Sequence, residues 1–74
     1  MAETTQVSIA TTGMHCRSCS MLIEMNVSEL GGVASVSADN ATGITTVSFD
    51  PAAVDIDTIL GAIRASGYGA EVAA

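Results

Sequence analysis

The order of strand and helix patterns along 74 residues is what limits the fold of this chain most. Strand-like apolar patterns occur around Val7 and Ile9, at Val33–Asp39, at Ile44–Phe49 and at Tyr68–Val72; helix-like patterns occur at Cys16–Leu30 and from Asp55 or Asp57 to Ser66. The order β-α-β-β-α-β predicts an α+β, ferredoxin-like sandwich, in which two helices cover one face of a four-stranded antiparallel sheet.

The predicted helices and the central hairpin each have an apolar face that can pack on a shared core. These faces are assigned to Cys19, Leu22, Ile23, Asn26/Val27 and Leu30; to Ala34, Val36 and Ala38; to Thr45, Val47 and Phe49; and to Ile56, Ile59, Leu60 and Ile63. Gly31, Gly32 and Gly67 are expected to end the helices, because glycine accepts the left-handed conformation of a C-terminal cap.

The expected topology brings two connections together at one end of the sheet. The first is the polar segment Thr11–His15, and the second is the loop before the last strand. Tyr68 is therefore expected to lie near Cys16.

Length and charge restrict what the chain can bind. We expect residues 1–74 to form a single domain, because so short a chain has no room for a second core. The net charge of −6 argues against binding nucleic acid or an anionic membrane, since both need basic patches. No stretch has the apolar length of a membrane span or the features of a signal peptide, so a cytoplasmic location is expected.

The chemistry-bearing side chains are concentrated in one short segment. Cys16 and Cys19 are the only cysteines, His15 is the only histidine, and Arg17 is one of two cations. Two thiols at this spacing, at the start of a helix, suit a soft metal ion or thiol–disulfide exchange. The positive end of the helix should lower the cysteine pKa values, which favours either use.

The number of ligands favours one kind of metal. Structural zinc sites need four ligands, typically Cys and His, and this chain has two cysteines and one histidine. Cu(I) is soft and is satisfied by two or three sulfur ligands, so Cu(I) is favoured over structural zinc. A dithiol redox protein stays open as an alternative, although redox motifs of this type usually occur in a larger scaffold.

The segment Gly13–Cys19 resembles the Gly-Met-x-Cys-x-x-Cys signature of heavy-metal-associated domains. This family comprises small copper chaperones and the N-terminal domains of copper-transporting P-type ATPases. The segments 30–33, 47–51 and 66–68 also resemble the family, so the likeness covers almost the whole chain.

The resemblance implies a role for each residue of the site. Cys16 and Cys19 would bind Cu(I), and Met14 would point into the core without ligating. Tyr68 would lie beside the ion, as a tyrosine does in bacterial members of the family. His15 stands where threonine is commonest and is a candidate third ligand, bridging ligand in a dimer or tuner of the thiol pKa. Arg17 lies between the cysteines, and from its charge it is expected to offset the negative charge of the bis-thiolate centre.

The resemblance also implies a function, which is not enzymatic. The protein is expected to be a monomer without metal, to form Cu(I)-bridged dimers or higher oligomers when loaded, and to pass Cu(I) to a copper-transporting P-type ATPase. A copper-responsive regulator is a further candidate receiver. The alternatives are an N-terminal domain of such an ATPase, a carrier of zinc or another divalent ion, a mercury-binding relative, and the redox protein.

Overall fold

The predicted fold is confirmed by the computed structural model, which describes residues 4–73. The elements are β1 (Thr5–Thr12), α1 (Arg17–Ser28), β2 (Val33–Asp39), β3 (Ile44–Phe49), α2 (Ile56–Ala65) and β4 (Gly69–Val72). The strands form one sheet in the order β2-β3-β1-β4, and every neighbouring pair is antiparallel. The first and last strands are therefore adjacent, and this adjacency brings the connections that follow β1 and precede β4 together.

The core between the helices and the sheet is aliphatic. Its fully buried members include Ile9, Ile23, Val27, Val47, Ile59 and Ile63. Buried and less buried residues alternate along β3, as expected for a sheet that packs on one face only. Among residues 4–73, no helix is long and apolar enough to cross a membrane.

Helix α1 differs from its prediction in length and in rotation. It ends at Ser28 with Glu29 as the C-cap, whereas the pattern predicted a helix to Leu30. Leu22 was wrongly assigned to the buried face, since it is 38% exposed and Ser20 is buried in the same turn. The Ser20 hydroxyl donates to the Arg17 carbonyl at 2.8 Å, and this bond offsets the cost of burying a polar group.

Strand β2 contains an irregularity that the alternation did not predict. The register with β3 shifts between Val33 and Ser35, so Ala34 is exposed and not on the core face as predicted. Val33 takes its place and pairs with the buried Phe49. One inserted residue moves all preceding side chains of the strand to the opposite face of the sheet, because side chains alternate between the two faces.

Strand β1 is longer than predicted and β4 is shorter. Thr11 and Thr12 belong to β1, although the pattern placed them in the following connection. Thr11 is buried, and its hydroxyl is hydrogen-bonded to that of Thr45 at 2.9 Å. Strand β4 begins at Gly69, opposite Thr12, so Tyr68 lies in the loop beside the end of β1 and not in the strand.

Candidate metal centre

The two thiols lie at the start of α1 and converge. Cys16 is the N-cap residue, with extended backbone angles of φ −155° and ψ 174°, and Cys19 is in the first helical turn. Both are free cysteines, and their Sγ atoms are 3.9 Å apart. Metal–sulfur bonds of about 2.3 Å allow two sulfurs at this separation to hold one ion.

The start of α1 has no side-chain cap. The Cys16 side chain accepts no hydrogen bond from the first turn, and that turn contains no acidic residue. Only the Cys16 carbonyl contributes, accepting from the N–H of Cys19 at 3.1 Å and of Ser20 at 3.5 Å. The first N–H groups of a helix carry a partial positive charge, so this end favours a thiolate.

The neighbours of Cys19 favour its thiolate form over the neutral thiol. Its pKa is lowered from the ordinary 9.0 to about 7, chiefly by a hydrogen bond from the Tyr68 hydroxyl and next by the main chain at His15. The same contact raises the pKa of Tyr68. The predicted lowering is confirmed for Cys19, but its largest cause is the tyrosine and not the helix end.

Tyr68 reaches the thiols by packing on the loop that carries them. Gly13 has a φ of +97°, and a Cβ at this position would lie 3.2 Å from Cδ1 of Tyr68. A larger residue at Gly13 would therefore be strained and would press on the ring. Tyr68 was expected near Cys16; it lies near both thiols, and Cys19 first and Cys16 after it raise the pKa of the Tyr68 hydroxyl.

The other residues of the predicted site lie in different surroundings. Met14 is 8% exposed and belongs to the hydrophobic core. His15 and Arg17 are exposed. Within residues 4–73, no three His, Cys, Asp or Glu side chains are close enough to hold one ion together. The structure thus brings the two thiols together and does not add His15 to them.

Sequence reasoning missed the contacts that hold the Tyr68 loop. Asn26 on α1 donates from Nδ2 to Oγ of Ser66 at 2.5 Å, and Arg64 on α2 donates to the Ala70 carbonyl at 2.7 Å. The available signal was Asn26 itself, a polar residue beside the apolar stripe of α1. Its partner could not be found from the pattern, because Ser66 is far away in sequence.

Comparison with known proteins gives consistent matches over most of the chain. Residues 8–69 match the family model for the heavy-metal-associated domain. The copper chaperone CopZ of Bacillus subtilis is 36% identical over 63 residues, which cover 85% of this chain and 91% of that protein. A crystal structure of a copper binding domain from HMA7, a P-type ATPase, superposes with a TM-score of 0.91 at 30% identity and covers 93% of both chains.

A further relative names a different metal. A zinc-transporting ATPase of Synechocystis sp. is 46% identical over 56 residues, or 76% of this chain. The chain spans 8% of the length of that ATPase, and 8% and 5% of two copper-transporting ATPases that it also matches.

Proposed function

The chain belongs to the heavy-metal-associated domain family, and from this premise we propose that it carries Cu(I) between Cys16 and Cys19. The observation that carries the proposal is the pair of sulfurs 3.9 Å apart at the uncapped start of α1. Both thiols reach the surface, since Cys16 is exposed and Cys19 is half-buried. A site built for permanent storage would be buried, whereas this one is open to a partner.

The ligand set supports Cu(I) as the cargo. Zinc prefers four ligands, and the described part of the chain adds no carboxylate or imidazole to the two thiols. Cu(I) is satisfied by two or three thiolates. With metal–sulfur bonds of about 2.3 Å, the present separation corresponds to an angle of roughly 115° at the ion, which leaves space for one incoming ligand.

The residues around the thiols would assist in different ways. Met14 holds the loop to the core and does not ligate. The Tyr68 hydroxyl stabilises the Cys19 thiolate, and Arg17 offsets part of the negative charge of a bis-thiolate Cu(I) centre, formally about −1. His15 is proposed as an electrostatic neighbour that becomes a third ligand only if the loop moves.

Transfer would proceed by ligand exchange without any change in oxidation state. A thiolate of the receiver donates an electron pair to the bound ion, and a three-coordinate intermediate forms. One cysteine then leaves and takes up the proton that the receiver thiol gave up. A second thiolate of the receiver replaces the other cysteine in the same way. The ion is never without sulfur ligands, so no step requires bare Cu(I).

The proposed receiver is a copper-transporting P-type ATPase on the cytoplasmic side of a membrane. The similarity to a chaperone over 91% of its length supports a carrier, and the similarity to ATPase domains supports a receiver with the same fold. The net charge of −6 would steer the carrier to a positively charged docking face. The same site would serve as the receiving domain if the chain belongs to an ATPase.

Two further outcomes follow from an exposed pair of thiols. A copper-responsive regulator could receive the ion by the same exchange. Two carriers could also share copper, so we propose a monomer without metal and Cu(I)-bridged dimers or larger clusters at high loading. Sedimentation at increasing Cu(I) should show this association, and a monomer at every loading would contradict it.

Zinc is the second candidate cargo, because the zinc-transporting relative is 46% identical. A zinc ion held here would have to take its remaining ligands from water or from a second protein. Dithiol exchange is the candidate of another class. Oxidation to a disulfide would require the sulfurs to approach from 3.9 Å to about 2.05 Å.

The deciding experiment is an anaerobic titration with Cu(I) against a competing chelator, read by native mass spectrometry, with Zn²⁺ in parallel. One tightly held Cu(I) per monomer that zinc does not displace is the expected result. If the protein binds zinc more tightly than Cu(I), zinc would be the cargo and the Cu(I) proposal would be wrong. Weak binding of both metals, together with catalytic reduction of a disulfide substrate, would favour the redox protein.

A further inference from the structure

Asn26 links helix α1 to the end of helix α2 through a polar contact between their side chains. Its Nδ2 donates to Oγ of Ser66 at 2.5 Å, and the Ser66 hydroxyl donates in turn to the Ala62 carbonyl at 3.0 Å. Asn26 and Ser66 are both half-buried. A half-buried amide is costly unless it is hydrogen-bonded, and an aliphatic side chain would pack here without that requirement. Packing alone therefore does not explain why an asparagine occupies position 26.

The contact controls a short turn that ends at the metal centre. Ser66 is the C-cap of α2, Gly67 follows with a φ of +97°, and Tyr68 comes next. The Tyr68 ring lies against Gly13 in the loop that carries the thiols, and its hydroxyl is near enough to Cys19 to lower the pKa of that thiol. Cys19 lies about two helical turns before Asn26 on the same side of α1. The segment Ser66–Tyr68 is therefore held to α1 by the Asn26 contact and lies against the loop before α1 through the Tyr68 ring.

A third attachment holds the other side of the turn. Arg64, in the last turn of α2, donates to the Ala70 carbonyl in β4 at 2.7 Å. The turn is thus tied to α1, to α2 and to β4, while the Tyr68 ring packs on Gly13. These contacts fix the main chain on both sides of Tyr68, and so determine from which position its ring reaches the thiol loop.

We propose that Asn26 is a positioning residue for the thiol site, which acts through Ser66 and Tyr68 on Cys19. Its hydrogen bond to Ser66 fixes the turn so that the Tyr68 side chain stays against the Gly13 loop and beside Cys19. Loss of the bond would not leave the Ser66 hydroxyl unpaired, because Ala62 still accepts from it. The effect of losing Asn26 should therefore fall on the placement of Tyr68 more than on folding.

A first test uses the metal-free, reduced protein and does not depend on the proposed cargo. Nuclear Overhauser contacts of the Tyr68 ring with Cys19 and Gly13 are compared in wild type, Asn26→Ala and Ser66→Ala. Tyr68 is the only tyrosine, so its ring signals are unambiguous. Both variants should lose at least about half of the Tyr68–Cys19 intensity.

The matched control is Glu24→Ala, on the same helix. Glu24 accepts from the N–H of Ala38 at 3.0 Å, so its removal breaks another long-range contact of α1, but one directed to β2. The Tyr68 contacts should be unchanged in this control. Unchanged contacts in Asn26→Ala and Ser66→Ala, an equal loss in Glu24→Ala, or no Tyr68–Cys19 contact in the wild type would each overturn the proposal.

A second test rests on the proposed function and measures release of bound Cu(I) to a chelator. Asn26→Ala and Tyr68→Phe should each accelerate release roughly two- to fivefold, at the low end of the coupling measured between contacting residues. The double variant should release no faster than Tyr68→Phe alone, because Asn26 acts through Tyr68. Independent, multiplying effects would overturn the proposal. Failure of the wild type to bind Cu(I) would instead refute the proposed function and leave the first test to decide.

Discussion

The two helices of this protein both begin after an extended N-cap residue, but the two N-cap side chains differ. The N-cap of α2 is Asp55, with φ −108° and ψ 169°, and its carboxylate accepts from the N–H of Thr58 at 2.8 Å and from its hydroxyl at 2.6 Å. The N-cap of α1 is Cys16, also extended, and its side chain accepts nothing. Thr58 also lowers the pKa of Asp55, which shows that the cap prefers its charged form.

The difference separates a structural helix start from a functional one. At α2 the carboxylate satisfies the first-turn donors and stabilises the fold. At α1 no side chain caps the first turn, where the Cys16 carbonyl accepts from the N–H groups of Cys19 and Ser20, and a thiolate is the group that benefits from the partial positive charge there. The fold tolerates the uncapped start because other contacts hold α1 in place. Ile23 and Val27 are buried in the core, and the Glu24 carboxylate accepts from the N–H of Ala38 in β2.

The largest expected effect is on metal affinity at the uncapped start. Cys16→Ser and Cys19→Ser should each weaken Cu(I) binding by more than about 100-fold, since loss of an outer-shell partner alone costs 10- to 100-fold. Asp55→Ala should stay within about twofold of the wild type, because distant sites act independently. Chelator competition measures all three, and tight binding by either cysteine variant would refute the two-thiolate site.

The next effect is on the ionisation of Cys19. Its pKa of about 7 should rise toward 9.0 when Tyr68→Phe removes the main hydrogen bond. The thiolate fraction near neutral pH, and with it the rate of alkylation, should fall by up to about tenfold. Comparing Cys16→Ser with Cys16→Ser/Tyr68→Phe isolates Cys19, and identical pH profiles would show that Tyr68 does not tune it.

A smaller effect is expected on stability at the capped start. Asp55→Ala should lower the Tm of the metal-free protein by about 5 °C near neutral pH. The folded-state pKa of Asp55 lies below 3.8, so its contribution is present above pH 3.8 and is lost as the pH falls through the folded value. The Tm difference from the wild type should therefore shrink in acid; a constant difference would mean that the charged cap is not the cause.

The smallest expected effect is a gain in stability when the start of α1 is given a side-chain cap. Serine is a good N-cap, so Cys16→Ser should stabilise the metal-free protein by about 0.5–1 kcal/mol while it abolishes tight binding. Cys16→Ala is the matched control, because it also lacks the thiol but offers no oxygen to the first turn. A denaturant titration that finds the two variants equally stable would show that α1 does not gain from a cap.

The sequence could predict the order of elements and the thiol pair because both depend on local patterns. It could not predict the rotation of α1, in which Ser20 is buried and Leu22 exposed, since both positions are compatible with an amphipathic helix. The bulge at Ala34 is set by pairing with β3, which no local pattern records. The link from Asn26 to Ser66 likewise exists only after the helices have packed.

The predicted site residues also differ in whether the local sequence determines their positions. Cys16 and Cys19 converge because their spacing on a helix start is a local property. Tyr68 joins them through the adjacency of β1 and β4, which the element order implied. His15 was predicted from its position in the chain alone, and the direction of an exposed loop side chain is not fixed by sequence proximity.

The most direct test of the central claim is X-ray absorption at the copper edge of the Cu(I)-loaded protein, with Cys16→Ser as the comparison. The two-thiolate site predicts at least two sulfur neighbours per copper in the wild type and fewer from the protein in the variant. A first shell dominated by nitrogen or oxygen, or one unchanged by Cys16→Ser, would contradict the assignment of the start of α1 as the metal centre.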